Sequence, residues 1–240
     1  MTMTLSAARN EEIIQAGSFE NSGMFAKSEP VTLSDYLRTI SRTGVRVAFG
    51  CDEVIYAEEE PADSIYRIIN GTVRLCRYTA DGRRHIVEFL LPGDLTGLLE
   101  CADHPVTAEA VDEVHMIVYP RNAFDRLASA EPNIRRRVLC HLSSNILEAQ
   151  RHLFVVSCQN AKERVASFLL RMADRLDVFQ GQRLDLPMGR QDIADHLGLT
   201  VETVCRAITQ LKDQGLIVVP NSGQVILKNV RGLQDMSLAN

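Results

Sequence analysis

The first half of the chain is dominated by short stretches in which apolar and polar residues alternate. Residues 45–49 alternate in this way, and comparable runs recur as far as Tyr119. Between these runs stand the dipeptides Asn70-Gly71 and Asp81-Gly82, which are typical of tight reversals between neighbouring strands. Short strands at close spacing with such turns predict an antiparallel sandwich or barrel.

The periodicity becomes helical after Pro120. Residues 121–130 predict a short helix, and Pro132 stands at a favourable first-turn position for a long one. Along that long helix the a/d pattern of a coiled coil recurs at Leu139, Leu142, Ile146, Ala149, Leu153 and Val156. The apolar stripe is narrow and the opposite face is charged. A dimer helix over residues 132–157 is therefore favoured over a helix that packs only on its own domain.

A third pattern, over residues 189–217, predicts a helix-turn-helix. Ile193, Ala194 and Leu197 share one helical face, and Gly198 supplies the tight turn that follows. Thr200 is of a residue type that opens helices, so a second helix is expected to start there. The buried face of this second helix is predicted to be Val204, Ala207, Ile208 and Leu211. A hairpin pattern over residues 217–227 completes a winged helix-turn-helix, whose second helix can enter the major groove of DNA.

The exposed face of the second helix carries the candidate chemistry for DNA reading. Glu202 and Arg206 are four residues apart and lie on one side of the helix. Arginine can donate two hydrogen bonds to guanine O6 and N7, and glutamate can accept one from cytosine N4. The alternative is an ordinary surface salt bridge between the two side chains. The surrounding turn and hairpin favour base reading by Glu202 and Arg206, because the whole docking architecture is present.

Composition is that of a globular protein and sets limits on the interpretation. The chain has 240 residues, 45% of them hydrophobic, and a net charge of -5. We expect a loose arm over residues 1–30, a β-roll over 31–131 with a short helix near 32–42, the dimer helix, and a DNA-binding domain over 158–240. Apolar runs stop short of the roughly 18 residues of a membrane span. Without a basic start followed by an apolar stretch, a cytoplasmic protein is predicted.

The six cysteines are scattered, outside any C-x-x-C pair or zinc spacing. Five of them are expected to be small buried hydrophobic residues: Cys51, Cys76, Cys101, Cys140 and Cys158. No metal site is predicted. The sequence also contains no nucleophile–base arrangement or phosphate loop that would indicate an enzyme.

With a β-roll, a long dimer helix and a winged helix-turn-helix in this order, the chain resembles the CRP/FNR family of transcription regulators. The most specific match is Glu202-Thr-Val-Cys-Arg206, which has the E-x-x-x-R pattern of the family's recognition helix. The resemblance implies an α+β fold whose N-terminal antiparallel β-roll is like a cyclic-nucleotide-binding domain. It also implies a homodimer on double-stranded DNA, with phosphate contacts from Arg190, Thr200, Thr203 and Cys205.

The same resemblance implies a particular DNA sequence. Val201 stands where FNR-like members carry valine and cAMP-responsive members carry arginine. The implied target is an FNR-type palindrome, TTGAT-N4-ATCAA. A twofold dimer on half-sites about one helical turn apart fits that geometry.

The sensors that the family uses are poorly matched by this sequence. Leu98 stands where cAMP-binding members carry glutamate, and residues 104–108 lack their Arg-Ser pair, so a nucleotide phosphate would find no cation. Residues 1–50 contain no cysteine, which excludes the four thiolate ligands of an FNR-type iron–sulfur cluster. No cofactor is therefore predicted. Haem stays open as an alternative through His85, His104 and His115, although these residues are not clustered.

The chain matches FNR-like members at the DNA-reading helix but lacks the N-terminal cysteines of their iron–sulfur cluster. In this combination it is similar to the FixK-type branch of the family, which consists of rhizobial activators of microoxic respiration and nitrogen-fixation genes. That branch also carries cysteine directly before the recognition arginine, as Cys205 does here. A neutral thiol becomes anionic and bulkier when it is oxidised to sulfinate or sulfonate, which would weaken contact with a phosphate. Cys205 is thus a candidate redox switch. The alternative is that it merely replaces a small hydroxyl residue.

The hairpin tip at Asp81, Gly82 and Arg83 matches the region through which family members contact RNA polymerase. The alternative interpretation of this tip is an ordinary solvated turn.

The combined prediction is a homodimeric transcription activator. Two rival interpretations remain. One is a regulator gated by haem or another small molecule in the β-roll. The other is a small-molecule-binding module whose helix-turn-helix serves only for packing.

Overall fold

The computed structural model describes residues 44–99 and 101–238. The arm predicted for residues 1–30 and the short helix predicted near residues 32–42 lie outside this range. The described chain begins with a β domain, residues 45–120, and ends with a C-terminal domain, residues 161–238. Two helices connect them.

Eight strands of the β domain form two four-stranded antiparallel sheets. They are β1 (Val45–Phe49), β2 (Val54–Tyr56), β3 (Ser64–Asn70), β4 (Val73–Tyr78), β5 (Arg84–Leu90), β6 (Leu95–Thr96), β7 (Thr107–Ala110) and β8 (Val114–Pro120). The strand orders are β1-β8-β3-β6 and β2-β7-β4-β5. Ile68 and Met116 from the first sheet pack with Val73 and Ala108 from the second, all almost fully buried. The antiparallel β-roll predicted from the alternation is confirmed.

The two glycine turns of this domain have different roles. Asp81-Gly82 closes the β4–β5 hairpin as predicted, with Gly82 at a φ of 80° and the Thr79 N–H donating to the Arg83 carbonyl at 3.0 Å. Asn70-Gly71 instead joins β3 to β4, which lie in different sheets, so the expected reversal between neighbouring strands is wrong there. The φ of Gly71 is 84°, and a Cβ at this position would lie 2.3 Å from the Glu113 carbonyl oxygen. Glycine is required because the crossing chain passes so close to that backbone.

Two helices lead out of the β domain: α1 (Arg121–Ala130) and α2 (Pro132–Cys158). With Pro132 in its first turn and 27 residues in total, α2 is about 40 Å long. Near its start, Ile134 is fully buried against the β domain together with Tyr119 and Phe124. Neither α2 nor any other helix among the described residues has the length and apolar character needed to cross a membrane.

The C-terminal domain consists of helices around a small sheet. Its elements are α3 (Ala161–Arg175), β9 (Arg183–Asp185), α4 (Arg190–Leu197), α5 (Val201–Asp213), β10 (Ile217–Asn221), β11 (Gln224–Leu227) and α6 (Val230–Leu238). Asn160 and Glu163 form a capping box at the start of α3. The three strands pair in the order β10-β11-β9. Helices α4 and α5 followed by the β10–β11 hairpin confirm the winged helix-turn-helix.

Four of the five cysteines expected to be buried are exposed, so that expectation is wrong for them. Only Cys76 is fully buried among them, whereas Cys51, Cys101, Cys140 and Cys158 are exposed. The positions of these cysteines explain their exposure. Cys51 and Cys101 lie in connections between strands, and Cys140 and Cys158 lie on outward-facing positions of α2. Small size favours burial of a thiol, but the element that carries it decides the outcome.

The β domain, α2 and the C-terminal domain meet at His196, a residue of α4. Its Nδ1 donates to the Ile86 carbonyl of β5 at 3.0 Å, and its ring stacks on that of His152 from α2 at a centroid distance of 4.3 Å. Phe89 and Phe168 flank the same ring. Burial, reinforced by the charge of nearby His152, lowers the pKa of His196 to about 3. The imidazole is therefore neutral, and its remaining proton holds α4 to β5.

A second group of contacts joins α3 to the end of β5. Arg171 forms an ion pair with Glu88 at 2.5 Å. Arg175 donates to the Phe89 carbonyl at 2.7 Å and forms a further ion pair with Asp94. These pairs are only one-fifth to one-third exposed, so they are less screened by solvent than ordinary surface pairs. Together with His196 they fasten two helices of the C-terminal domain to a single strand.

The neutral state of His196 predicts an acid-sensitive fold. In the unfolded chain histidine takes up a proton near pH 6.5, whereas the folded chain resists protonation down to a pKa of about 3. Stability is therefore complete above about pH 6.5 and falls as the pH drops below it, since the unfolded chain binds more protons. His196→Asn, which keeps a donor for Ile86 but cannot titrate, should show a smaller decline of Tm between pH 7 and pH 5.

Thermal unfolding followed by circular dichroism would measure this difference. The exposed residue His115 provides the control, since His115→Asn should leave the decline of Tm unchanged. An equally steep decline in the His196→Asn variant and the unmodified protein would contradict the assignment.

Candidate nucleic-acid interface

The turn between α4 and α5 is built as the sequence predicts. Gly198 adopts the left-handed conformation with a φ of 62°, and the following Leu199 N–H donates to the Ala194 carbonyl at 3.0 Å. Thr200 then caps α5, since its hydroxyl accepts from the Thr203 N–H at 3.3 Å. This short connection sets the angle at which α5 leaves α4.

Helix α5 has one buried and one exposed face. Val204, Ala207, Ile208 and Leu211 are buried, as predicted. The opposite face points to solvent and carries Glu202, Cys205, Arg206, Thr209 and Gln210. The helix therefore presents a continuous polar surface that a DNA groove can accept.

Glu202 and Arg206 are not paired with each other. Both lie in the described part of the chain, and no ion pair joins them. Arg206 Nη2 instead donates to the Thr203 hydroxyl at 3.1 Å. Hydrogen bonds from the Glu202 backbone N–H and the Thr200 hydroxyl lower the pKa of the Glu202 carboxyl, with a smaller contribution from Arg206. Glu202 is therefore an ionised acceptor, and Arg206 keeps most of its donors available.

Arg190 on α4 and Cys205 on α5 are close enough to interact electrostatically. Arg190 is the first residue of α4 and is half-buried, and its Nη1 is buried without a hydrogen-bond partner among the described residues. Burial lowers the pKa of Arg190, while the nearby Cys205 acts in the opposite direction. Cys205 itself is exposed. Because Nη1 is buried, a phosphate could be bound only by the part of the Arg190 side chain that faces solvent.

The other predicted DNA contacts are less uniform. Thr200 is exposed at the helix start, and Thr203 is half-buried. Val201 is also half-buried and packs against the core of the C-terminal domain, so only part of its side chain faces outward. The β10–β11 turn is held by Asn221, whose side chain accepts from the Gly223 N–H at 3.2 Å.

Comparison with known proteins decides what this architecture is. Residues 163–236 match the Crp-like helix-turn-helix domain, and residues 46–131 match the cyclic nucleotide-binding domain. The chain is 36% identical over 197 residues to the nitrogen fixation regulation protein FixK of Bradyrhizobium diazoefficiens, covering 81% of this chain and 83% of the relative. The chain belongs to the CRP/FNR family of transcription regulators.

Two further relatives agree with this assignment. The transcriptional activatory protein AadR of Rhodopseudomonas palustris is 37% identical over 188 residues, covering 78% of this chain and 79% of the relative. The solved structure of FixK2 from Bradyrhizobium japonicum superimposes with a TM-score of 0.78 at 36% identity, covering 82% of this chain and 98% of that chain. The resemblance noted in the sequence is confirmed: this is a DNA-binding transcription regulator of the FixK type.

In this CRP/FNR protein, α2 carries the predicted dimer residues on its outer side. Leu139, Ile146 and Leu153 are 60%, 60% and 63% exposed, and they are spaced seven residues apart. Ala149 is exposed as well, while Leu142 and Val156 are half-buried. The sequence pattern did not include two further exposed apolar residues beside this stripe, Leu147 and Phe154. The apolar surface is thus broader than the a/d positions alone.

The hairpin tip predicted to contact RNA polymerase is exposed. Asp81, Gly82 and Arg83 all face solvent. Arg83 Nε donates to the Asp81 carboxylate at 2.7 Å, so the two charges at the tip partly neutralise each other. The tip is accessible to a partner, although nothing in its local geometry distinguishes it from an ordinary solvated turn.

Packed rings occupy the interior of the β-roll near residues 104–108, where cAMP-binding members of the family carry an Arg-Ser pair. Tyr56 stacks on His104 at a centroid distance of 3.7 Å, and the Tyr56 hydroxyl lies 2.6 Å from that of Thr96. Burial lowers the pKa of His104, which is 3% exposed. His85 and His115 are exposed. Within residues 44–99 and 101–238, no group of three or more His, Cys, Asp or Glu residues is arranged to hold a metal ion.

The predicted roles of Arg190 and Arg206 can be separated by their response to DNA sequence and salt. Arg206→Ala should weaken binding to the TTGAT-N4-ATCAA palindrome by about 1–3 kcal/mol for each lost base contact, with little effect on a scrambled duplex. Arg190→Gln should weaken both duplexes. It should also reduce the slope of log K against log salt by about 0.9 for each lost phosphate contact.

Fluorescence anisotropy titrations of both duplexes at several salt concentrations would measure these effects. Equal losses on both duplexes for Arg206→Ala would remove it from the base-reading set. An unchanged salt slope for Arg190→Gln would remove that residue from the phosphate contacts.

Proposed function

We propose that this protein is a homodimeric activator that binds an FNR-type palindrome, TTGAT-N4-ATCAA, without cAMP or an iron–sulfur cluster. Its target genes would serve microoxic or anaerobic respiration or nitrogen fixation. The observation that carries the proposal is the exposed face of α5, where the Glu202 carboxylate and the Arg206 guanidinium are not paired with each other. The names of the relatives, nitrogen fixation regulation protein and transcriptional activatory protein, support the choice of target genes.

Base reading follows from the chemistry of these two side chains. Arg206 is exposed, and among the described residues it is bonded only to Thr203, through one nitrogen, so its fork is available for guanine O6 and N7. Glu202 is held ionised beside the helix N-terminus and can accept from cytosine N4. Arg190, near Cys205, would bond the adjacent phosphate. Contacts to the DNA phosphates fix the position of the protein along the duplex, while contacts to the base edges give the sequence preference.

Dimerisation through α2 is supported by the apolar stripe on its outer side. Exposed leucine and isoleucine at intervals of seven residues are costly in water and pack well against a second copy of the same helix. A twofold axis along α2 would present two α5 helices to successive turns of the major groove. The palindrome requires this symmetry.

Independence from a ligand in the β-roll is supported by the packing of its interior. The Tyr56–His104 stack and the Tyr56–Thr96 hydrogen bond fill space there, and residues 104–108 contain no arginine to bind a nucleotide phosphate. Exposed His85 and His115 lie on different sheets, which is unsuited to binding one haem between them. The alternative is a regulator gated by a ligand in the β-roll, and specific binding of the palindrome without any added ligand would exclude it.

Cys205 would act as a redox brake. Its exposed thiol lies near the Arg190 guanidinium, where a DNA phosphate is expected. Two successive peroxide molecules each transfer one oxygen atom to the sulfur and leave as water, converting the thiol to a sulfinic acid that ionises. The new anion would compete for Arg190 and repel the phosphate.

The exposed tip at Asp81, Gly82 and Arg83 would contact RNA polymerase on the bound promoter.

The proposed function predicts tight, ligand-free binding that oxidation abolishes. Reduced protein should shift the palindrome and not a scrambled duplex in a gel titration without any added effector. Peroxide should remove that binding, because an anionic sulfinate then faces the phosphate. Cys205→Ser should bind the palindrome and stay insensitive to peroxide, which also controls for the other exposed cysteines.

Two outcomes would contradict parts of this proposal. Specific binding that appears only after haem or a nucleotide is added would mean that the β-roll is a ligand sensor. Peroxide sensitivity that persists in Cys205→Ser would assign the redox effect to another residue.

A charge in the apolar stripe of α2 should separate the dimer. Ile146→Glu places a carboxylate on a side chain that is 60% exposed in the single chain, so the fold of each subunit should survive. The dimer should dissociate to a monomer at micromolar concentration, because two buried carboxylates would face each other. Analytical ultracentrifugation measures the mass, and a gel shift measures the accompanying loss of palindrome binding.

Ser144→Glu provides the matched control. It adds the same charge two residues away on α2, about half a turn round the helix and on an exposed position. This variant should stay dimeric. If both variants dissociate, or if neither does, the interface lies elsewhere.

A further inference from the structure

Arg84 reaches from the β domain to the first helix of the helix-turn-helix. It is the first residue of β5, directly after the β4–β5 hairpin. Its Nη2 donates to Asp192 Oδ1 at 2.5 Å, and its Nε donates to Asp195 Oδ2 at 2.9 Å. All three side chains are at most one-fifth exposed, so this forked contact lies largely out of solvent. An arginine that binds two carboxylates in this way fixes direction as well as distance.

The same Asp192 carboxylate also closes the N-terminus of α4. Its Oδ2 accepts from the Gly189 N–H at 3.3 Å, which satisfies one of the unpaired N–H groups at the helix start. One carboxylate therefore connects Arg84 to the backbone from which Arg190 extends. A shift of Arg84 would move the start of α4, and with it the side chain proposed to bind phosphate.

Arg84 is itself held in a charge network of the β domain. Arg74 on the neighbouring strand β4 bonds Glu109 and Asp52, each at 2.8 Å, and its Nη1 lies 3.6 Å from the same Asp192 oxygen. The Arg74 and Glu109 side chains are 8% exposed. The two arginines that contact α4, Arg74 and Arg84, are thus held by strands of the β-sheet.

This docked arrangement leaves the exposed face of α5 free. With α4 bound to β5, Glu202, Cys205 and Arg206 are exposed on α5. The contact therefore does not cover the surface proposed to bind DNA.

We propose that Arg84 is a positioning residue for DNA binding, which acts through Asp192 and Asp195 to hold α4, and with it Arg190, in place against the DNA backbone. This inference rests on the proposed function. It assigns to the β domain a part in DNA affinity that needs no ligand. Arg84 itself does not contact DNA.

The test compares Arg84→Gln, Arg84→Lys and Asp195→Asn with the full-length protein. Arg84→Gln should weaken palindrome binding about tenfold, and Arg84→Lys, which keeps the charge but loses the fork, should weaken it less. Asp195→Asn keeps the shape of its side chain but weakens the same contact, so it replaces Arg84→Gln in the test if Arg84→Gln folds poorly. The Arg84→Gln/Asp195→Asn double variant should lose less than the product of the two single losses, since both act through one contact.

A salt titration distinguishes positioning from direct contact with DNA. Arg84→Gln and Arg190→Gln should each reduce the salt slope, and the double variant should reduce it no further than Arg190→Gln alone. Arg77→Gln is the matched control, because Arg77 lies in the same sheet, is 63% exposed and pairs with Glu58 inside the β domain. It should bind DNA as the unmodified protein does.

Hydrogen exchange of the free protein supplies a readout without DNA. Arg84→Gln should speed exchange of amides in residues 189–197 and leave those of α5 unchanged. Unchanged exchange in α4, undiminished palindrome affinity of a folded Arg84→Gln protein, additive salt slopes, or an equal loss in Arg77→Gln would each overturn the inference. If the unmodified protein itself fails to discriminate the palindrome, the proposed function fails instead, and the exchange data still judge whether Arg84 holds α4.

Discussion

Helix α4 lies against the open edge of strand β5, and the arrangement of the domains depends on this contact. An edge strand presents unpaired carbonyls, and one of them, that of Ile86, is satisfied by His196. Arg84 adds a forked ion pair to Asp192 and Asp195 on the same helix. Because the short Gly198 turn connects α4 to α5, the direction of the reading helix is set by where α4 rests on the β domain.

The distribution of charge explains how an acidic protein can bind DNA. The net charge is -5, yet several arginines are neutralised between the domains, where Arg171 and Arg175 meet Glu88 and Asp94. Among the described residues, neither Arg190 nor Arg206 on the helix-turn-helix forms an ion pair. Arg190 is half-buried, and Arg206 donates to the Thr203 hydroxyl. Local availability of cations, rather than total charge, is what a phosphate backbone meets.

Helix α2 connects these features to the proposed dimer. It is anchored in the β domain by Ile134 at its start, and near its end His152 stacks on His196. Its outer side exposes Leu139, Ile146 and Leu153. A partner helix packed there would therefore act on the same junction that holds α4 against β5.

Most of the elements and much of the candidate interface could be predicted from the sequence, because these depend on local patterns. Alternation gave the strands, the seven-residue repeat gave α2, and the Gly198 and Thr200 signals placed the two helices of the DNA-binding unit. The tertiary structure alone decided that Asn70-Gly71 crosses between sheets, that four of five cysteines are exposed, and that Arg84 binds Asp192 from 108 residues away. Such contacts join side chains that no periodicity relates, since their proximity arises only when the two domains pack against each other.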